Sequence, residues 1–251
     1  MTVAKTPPAE PPRLANPWHP MIVSRRRILA GSAGLVATTG LAGLARAQGY
    51  GQAFKVDNDE GRPVANTRLP GEIVGEIEGL RGVTYIGPRD AGVTLYEFFD
   101  YNCPYCRKAA ADLISLAASD PALRIGLINN PILSVQSAQA AKVSLAVQKR
   151  LGSAAAWSLY QGLLAKPGRI DGPSALAAAA KLGLPAAEIE GIGDSQEVRL
   201  ALKSQMRIAA DLGLSTTPSY VLGNTGLLGH PGPKALARMI AAQRRCDRIA
   251  C

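Results

Sequence analysis

Histidine and cysteine are scarce in this chain, two of the one and four of the other in 251 residues, and the shortage bears first on metal chemistry. A structural zinc site takes four ligands. Besides Cys103 and Cys106, only His19, His230, Cys246 and Cys251 are on offer, so no metal site is expected. Aromatic residues are few as well, at 5%. A basic stripe with interleaved aromatics, the footprint of a nucleic-acid surface, is not visible. The formal charge of +9 does not restore that reading, because six basic residues and one acid fall within residues 1–47 and the remainder carries +4. Strongly apolar runs are missing too. Ile28 to Leu44 approaches membrane-spanning length but is diluted by Gly, Ala and Thr. What remains after residue 47, about 200 residues, suffices for one domain with a buried core or a smaller domain bearing an insertion. All four cysteines lie in that part, which fits an oxidising compartment.

Against this background Cys103-Pro104-Tyr105-Cys106 stands out. It follows the apolar run Val93 to Phe99, a buried-strand pattern, and precedes Arg107 to Ala118, a helix pattern rich in Ala and Leu. Two sulfurs three residues apart in a first helical turn share a face and can bridge. Backbone N–H groups there have no intrahelical partner and carry the positive end of the macrodipole, which favours a thiolate on Cys103. Thiolate is the form that attacks a disulfide. Cys103 is therefore the expected nucleophile and Cys106 the resolving thiol of a redox-active Cys103–Cys106 pair.

Along the rest of the chain, Gln48 to Asp90 is punctuated by Gly, Pro and charge. Val83 to Ile86 is its one good strand, and Leu69 to Val74 reads as a short helix or an arm across the domain. Leu123 to Ile128 is a second strand, stopped at Asn129-Asn130-Pro131, which completes β-α-β. Ser137 to Leu212 is helical in pattern, with breaks at Gly152, Lys166-Pro167-Gly168, Asp171-Gly172-Pro173, Leu184-Pro185 and Gly191-Ile192-Gly193, implying four or five short helices. Asp171 or Gly172 can cap one of them, with Pro173 in its first turn. Ser219 to Leu222 reads as a strand, Gly223 to Gly226 as a tight turn, Leu227-Leu228 as its partner, and Pro233 to Arg248 as a closing helix. In ideal helix Cys246 and Cys251 are too far apart around the axis to bridge. A frayed end would let them form a structural Cys246–Cys251 disulfide.

The stretch Leu95 to Lys108 around the dithiol, together with Ser215-Thr216-Thr217-Pro218-Ser219-Tyr220-Val221-Leu222-Gly223, resembles the DsbA-like branch of the thioredoxin superfamily, exported thiol:disulfide interchange proteins. The similarity spans roughly residues 83 to 248. It implies an α/β thioredoxin fold with an inserted all-helical cap at about residues 134–214, within a domain of residues 91–251 that follows an N-terminal extension, 48–90. It also implies that Thr217-Pro218 is a cis-proline loop against the dithiol, pairing with an extended substrate segment. Without the Cys-x-x-Cys, Pro218 would read as an ordinary trans proline opening a strand. Thr217, Pro218, Pro104 and Tyr105 become the substrate-binding residues. Glu97, six positions before Cys103, corresponds to a family glutamate beneath the active site. Buried there it would have a raised pKa and take the proton of Cys106; on an outward strand face it would be a solvated carboxylate. Arg107 and Lys108 add charge near the thiolate or are simply solvated on the helix, and His230 reads as a turn residue.

Ser24-Arg25-Arg26-Arg27-Ile28-Leu29 resembles the twin-arginine export motif, and Ala45-Arg46-Ala47 offers a cleavage site before Gln48. Residues 1–47 are thus expected to be a signal peptide, with a retained anchor as the alternative and Met21 as a possible start. These readings point to an exported, periplasmic protein disulfide oxidoreductase, oxidase or isomerase. It needs no cofactor, acts on protein thiols or disulfides, is served by a membrane redox partner and does not bind nucleic acid. Its oligomeric state stays open, since the segment ahead of the domain is short for an oligomerisation module. The competing class is a thioredoxin-fold chaperone or metal-binding protein without turnover.

Overall fold

The computed structural model describes residues 51–251; the twin-arginine leader, its cleavage site and the alternative start at Met21 lie outside the described residues. Six strands form one mixed sheet in the order β1-β6-β5-β3-β4-β2. Its centre is β3 (Val93–Phe99), parallel to β4 (Leu123–Asn129) and antiparallel to β5 (Ser219–Leu222), which in turn pairs with β6 (Thr225–Leu228). Helix α2 (Pro104–Ser119) links β3 to β4, and α8 (Pro233–Cys246) closes the chain. Between β4 and β5 lie α3 (Val135–Leu151), α4 (Ser153–Leu164), α5 (Gly172–Ala180), α6 (Ala186–Gly193) and α7 (Gln196–Asp211). This is a thioredoxin-like fold with a helical insertion, as expected. The insertion holds five helices, within the four or five its Gly and Pro breaks implied, though α3 and α7 are not short, running 17 and 16 residues.

The two faces of β3 bury different chemistry. Leu95 and Phe99 join the larger core with Cys103, Cys106, Leu113, Tyr160, Tyr220 and Leu236. Tyr96 and Phe98 point the other way, into a smaller core with Ile77, Ile128, Ile208 and Val221. Glu97 shares the first face by the period of two along a strand and is fully buried. Gly126, the β4 partner of Tyr96, is glycine for a steric reason: a Cβ there would meet the Tyr96 ring at 2.6 Å.

Several boundaries differ from those the sequence suggests. Helix α2 begins at Pro104, ahead of the Ala- and Leu-rich stretch from Arg107, so the dithiol opens its first turn as expected: Cys103 is extended and its carbonyl accepts from Arg107 N–H at 3.2 Å, which makes Cys103 the N-cap and Pro104 the first helical residue. Strand β6 starts at Thr225, so only Gly223 and Asn224 remain between the strands, Gly223 at positive φ. The segment 51–90 contributes to both edges of the sheet. It supplies β1 (Asn66–Arg68) against β6 at one sheet edge and β2 (Thr84–Ile86) against β4 at the other, with α1 (Gly71–Glu78) between them, packed on α7.

Helix α8 stops at Cys246 rather than Arg248. Asp247 is left-handed, and this reversal brings Cys251 back to Cys246, Cα to Cα 6.2 Å, where the two are joined by a disulfide. Ile249 inside the small loop is buried in the larger core. Closing so short a loop limits the unfolded chain by about 2 kcal/mol. The double variant Cys246→Ser/Cys251→Ser is therefore expected to lose about 2 kcal/mol in denaturant unfolding while keeping its exchange activity; loss of activity at unchanged stability would assign the pair to electron transfer instead.

Candidate active site

Helix α2 aims its first turn at the cis-proline loop. Both active-site thiols are free and buried. The peptide bond Thr217–Pro218 is cis, and the carbonyl of Thr217 accepts from the Cys103 thiol at 3.0 Å. The cis-proline loop thus lies directly against Cys103. Tyr105, by contrast, is among the most exposed large side chains, and Pro104 lines an open hollow of about 590 Å³ with Asn102, Arg107, Leu133 and Pro167.

The two sulfurs have opposite electrostatics. Cys103 is lowered from 9.0 to about 6, first because the Cys106 thiol donates to its sulfur, then through the side chain of Thr217 and the backbone N–H groups of Cys106 and Tyr105; burial opposes these. The Thr217 carbonyl favours the protonated thiol, yet the several donors outweigh one acceptor. Helix-terminal N–H groups therefore contribute, as the position of Cys103 suggested, but the larger share comes from Cys106. Cys106 is pushed far up, by burial first, then by donating to Cys103 and by the nearby charge of Glu97.

Glu97 sits beneath the pair, on the side facing α2. Burial raises it from 4.5 to about 8, partly offset by a hydrogen bond from Tyr160, whose hydroxyl donates to Oε2 at 2.7 Å. The other oxygen, Oε1, is buried with no hydrogen-bond partner among the described residues. A buried carboxyl satisfied on one oxygen only is free to take or give a proton at the other. Tyr160 is itself raised by burial and by Glu97, so it stays a donor. Sequence patterning gives no hint of this partner, since Tyr160 belongs to an Ala- and Leu-rich helix where an aromatic reads as core.

Further residues hold the turn before α2. Asp100 accepts from Asn102 N–H at 2.7 Å and from Leu133 N–H at 3.0 Å. The Asn102 side chain donates to Ser137 Oγ and to the Ile170 carbonyl, and accepts from Ile170 N–H at 2.7 Å. Arg107 is not simply solvated: its guanidinium donates to the carbonyls of Lys166 and Gly168 in the insertion. Lys108 is exposed. His230 does more than turn the chain, bridging the Tyr220 hydroxyl and the Asp112 carboxylate, each at 2.8 Å. Among the described residues no group of three or more His, Cys, Asp or Glu is placed to hold a metal ion, and no helix is long and apolar enough to cross a membrane.

Residues 94–241 match the family model of the DSBA-like thioredoxin domain. No curated protein matches the chain. Among solved structures, a thioredoxin-like oxidoreductase from Silicibacter pomeroyi is 30% identical, with 66% of this chain and 94% of that one covered and a TM-score of 0.60. The catalytic domain of Proteus mirabilis ScsC is 25% identical over 70% of this chain and 98% of its own, with a TM-score of 0.62. The thiol-disulfide exchange protein alpha-DsbA2 from Wolbachia pipientis shares the fold at 20% identity, covering 68% and 93% of the two chains with a TM-score of 0.60. With an asymmetric dithiol at a strand-to-helix junction and a family match over more than half its length, the chain belongs to the DSBA-like thioredoxin domain family and is a disulfide oxidoreductase.

Proposed function

We propose that this protein is exported and exchanges disulfides with protein substrates through Cys103 and Cys106, as an oxidase or isomerase. The observation that carries the reading is the opposed electrostatics of the two thiols, one lowered to about 6 and the other raised, above a carboxyl near 8. A low-pKa thiol attacks readily and leaves readily. Export is supported by the twin-arginine-like leader and by the Cys246–Cys251 disulfide, which suits an oxidising compartment.

In the oxidising direction a substrate thiolate attacks Cys103 Sγ of the Cys103–Cys106 disulfide, and Cys106 leaves with the electron pair and takes a proton from the Glu97 carboxyl. A second substrate thiolate then attacks the substrate sulfur and expels Cys103 as thiolate; two electrons have passed from substrate to dithiol. In the isomerising direction the Cys103 thiolate opens a substrate disulfide. Cys106, giving its proton to the Glu97 carboxylate, frees a substrate that has not rearranged. Pro104 and Tyr105 border the reacting sulfur, and the Thr217 main chain pairs with the substrate. In the thiol form that carbonyl is occupied by Cys103 S–H; formation of the mixed disulfide removes the proton and frees the acceptor. A membrane redox partner restores the dithiol or the disulfide through the same exposed face, where Tyr105, Leu133 and Val135 present apolar surface.

Ultraviolet titration of the reduced protein is expected to show a thiolate forming with a midpoint near 6 that Cys103→Ser abolishes together with exchange activity; a midpoint at or above about 8.5 would remove the activation argument. Release of a substrate held on Cys103 should accelerate as pH rises through about 8. Glu97→Gln should lose that inflection and release roughly ten- to a hundredfold more slowly; equal rates would take Glu97 out of the mechanism. The same shift governs stability. Folding raises Glu97 from 4.5 to about 8, so the stability that its neutral form contributes is present below the lower value and lost as pH rises through the higher one. Glu97→Gln escapes that loss, and its stability relative to wild type should climb between those pH values in denaturant unfolding.

A further inference from the structure

The cis-proline loop has a second wall that the dithiol chemistry does not use. A groove of about 440 Å³ opens beside Thr216, Thr217 and Pro218; Tyr105 and Lys108 of α2 border one side, and Asn58, Glu60 and Arg62 border another. The last three belong to a turn more than thirty residues ahead of the family-matched region, and several interactions fix it in place. Asp57 and Pro63 form a bridge at its base. Asn58 Oδ1 accepts from the N–H groups of Glu60 and Arg62, at 3.0 and 2.8 Å. Asp59, at the centre, donates its N–H to the Pro231 carbonyl at 2.9 Å, and its carboxylate accepts from the N–H groups of Lys234 and Ala235. It thereby caps α8 from a distant part of the chain. Gly232 has φ +94, and a Cβ on it would come within 2.5 Å of the Asp59 carboxylate. The turn is thus clamped onto the loop that follows β6, and its outward side chains are held over the groove.

The charges in the groove are unequal in availability. Glu60 is the only carboxylate among its lining residues, and it is already engaged within the turn, accepting from Asn58 Nδ2 at 2.7 Å and from the Arg62 guanidinium at 3.1 Å. Arg62 keeps most of its five donors, and Lys108 is exposed on the opposite wall with no acidic partner among the described residues. The groove therefore offers cationic donors on both walls with its single acid spent. We infer that the Asn58–Arg62 turn is a specificity wall of the substrate groove and that it selects polypeptide segments carrying an acidic side chain beside the reacting cysteine. The inference rests on the disulfide-exchange reading above. A substrate strand lying along Thr217 passes between the two walls, so a carboxylate neighbouring its cysteine meets Lys108 from one side and Arg62 from the other. Both cations are solvent-exposed, so the preference is modest and weakens with salt.

Two peptide thiols identical except for Asp or Lys beside the cysteine, with β-mercaptoethanol as an uncharged small thiol, provide the test. Each reduces the oxidised protein by attack on Cys103 with Cys106 as leaving group, and rates are followed by acid quench and mass spectrometry. The ratio of Asp to Lys peptide rates, compared between wild type and variants, cancels the peptides' intrinsic reactivity. Arg62→Glu and Lys108→Glu should each lower that ratio about fivefold at low ionic strength, and about 1 M salt should erase the difference. The main-chain and Asp59 contacts that hold the turn do not involve the Arg62 side chain, and circular dichroism checks that each variant is folded. An unchanged ratio in Arg62→Glu overturns the inference. So does a shift confined to Lys108→Glu, which would assign the preference to the active-site helix alone. If β-mercaptoethanol fails to reduce the wild-type Cys103–Cys106 pair, it is the exchange activity itself that falls.

Discussion

The burial of Cys106 beside Cys103 is the constraint on which the site depends. It splits two chemically identical groups: burial first, and donation to the Cys103 sulfur second, hold the proton on Cys106, and the same donor favours a thiolate on Cys103. Backbone placement makes the split possible. Cys103 is the N-cap, so its side chain faces the free N–H groups of Tyr105 and Cys106, while Cys106, three residues on, points into the core. Pro104 suits the first helical position because its missing N–H would have had no partner there. An asymmetry of this kind makes a second group necessary, since a proton held that tightly has to be moved before Cys106 can react. In the proposed mechanism Glu97, facing α2 from the central strand with one oxygen unpartnered among the described residues, answers that need.

The helical insertion belongs to this arrangement as much as the sheet does. Tyr160 of α4 supplies the hydrogen bond to Glu97 and stacks on Trp157, while its ring meets Phe99 edge-on. Asn102, one residue before the nucleophile, is held by Ser137 and by both main-chain groups of Ile170. Arg107, just after the dithiol, reaches the loop between α4 and α5. The turn that carries Cys103 is therefore gripped on both sides by residues 35 to 68 positions away. Removing the Asn102 side chain would leave the part-buried main-chain groups of Ile170 without that partner. The insertion sets the geometry of the dithiol besides covering it.

Much of this was legible in the sequence because the signals were local. Val93 to Phe99 is a strand with the bounds its apolar run implied, the Cys-Pro-Tyr-Cys placement at a strand-to-helix junction holds, and the Gly and Pro breaks of the insertion fall at or near helix ends. What escaped was non-local. Strand β1 is Asn66-Thr67-Arg68, a polar triplet with no alternation to announce it; it is a strand because β6 offers an edge and because the buried Asn66 side chain binds the backbone of Phe54 and Val64. Glu97 was readable as buried or as exposed from sequence; the fold buries the face it shares with Leu95 and Phe99, where Tyr160 of α4 reaches its carboxyl. His230 is a turn residue by its neighbours, and only the fold reveals that Tyr220 and Asp112 meet at its ring. The start of α2 at the dithiol, by contrast, was legible, because two cysteines three apart with a proline between them suit a first helical turn, and Cys103 is its N-cap with Pro104 at the first helical position.

The N-terminal segment limits where a substrate strand can pair. Strand β1 covers β6 and strand β2 covers β4, so both outer edges of the four central strands are closed by one stretch of chain that crosses the rear face through α1. The edges that remain are three residues long, and short edge strands are poor templates for another chain. Near Cys103, the cis-proline loop is left as the place where extended backbone can be met by a substrate, and the same N-terminal segment reaches that loop through the turn that Asp59 fastens to α8. A stretch without a clear core pattern thus does two linked things: it closes the sheet edges to strand addition, and it lines the groove where the proposed substrate strand would pair.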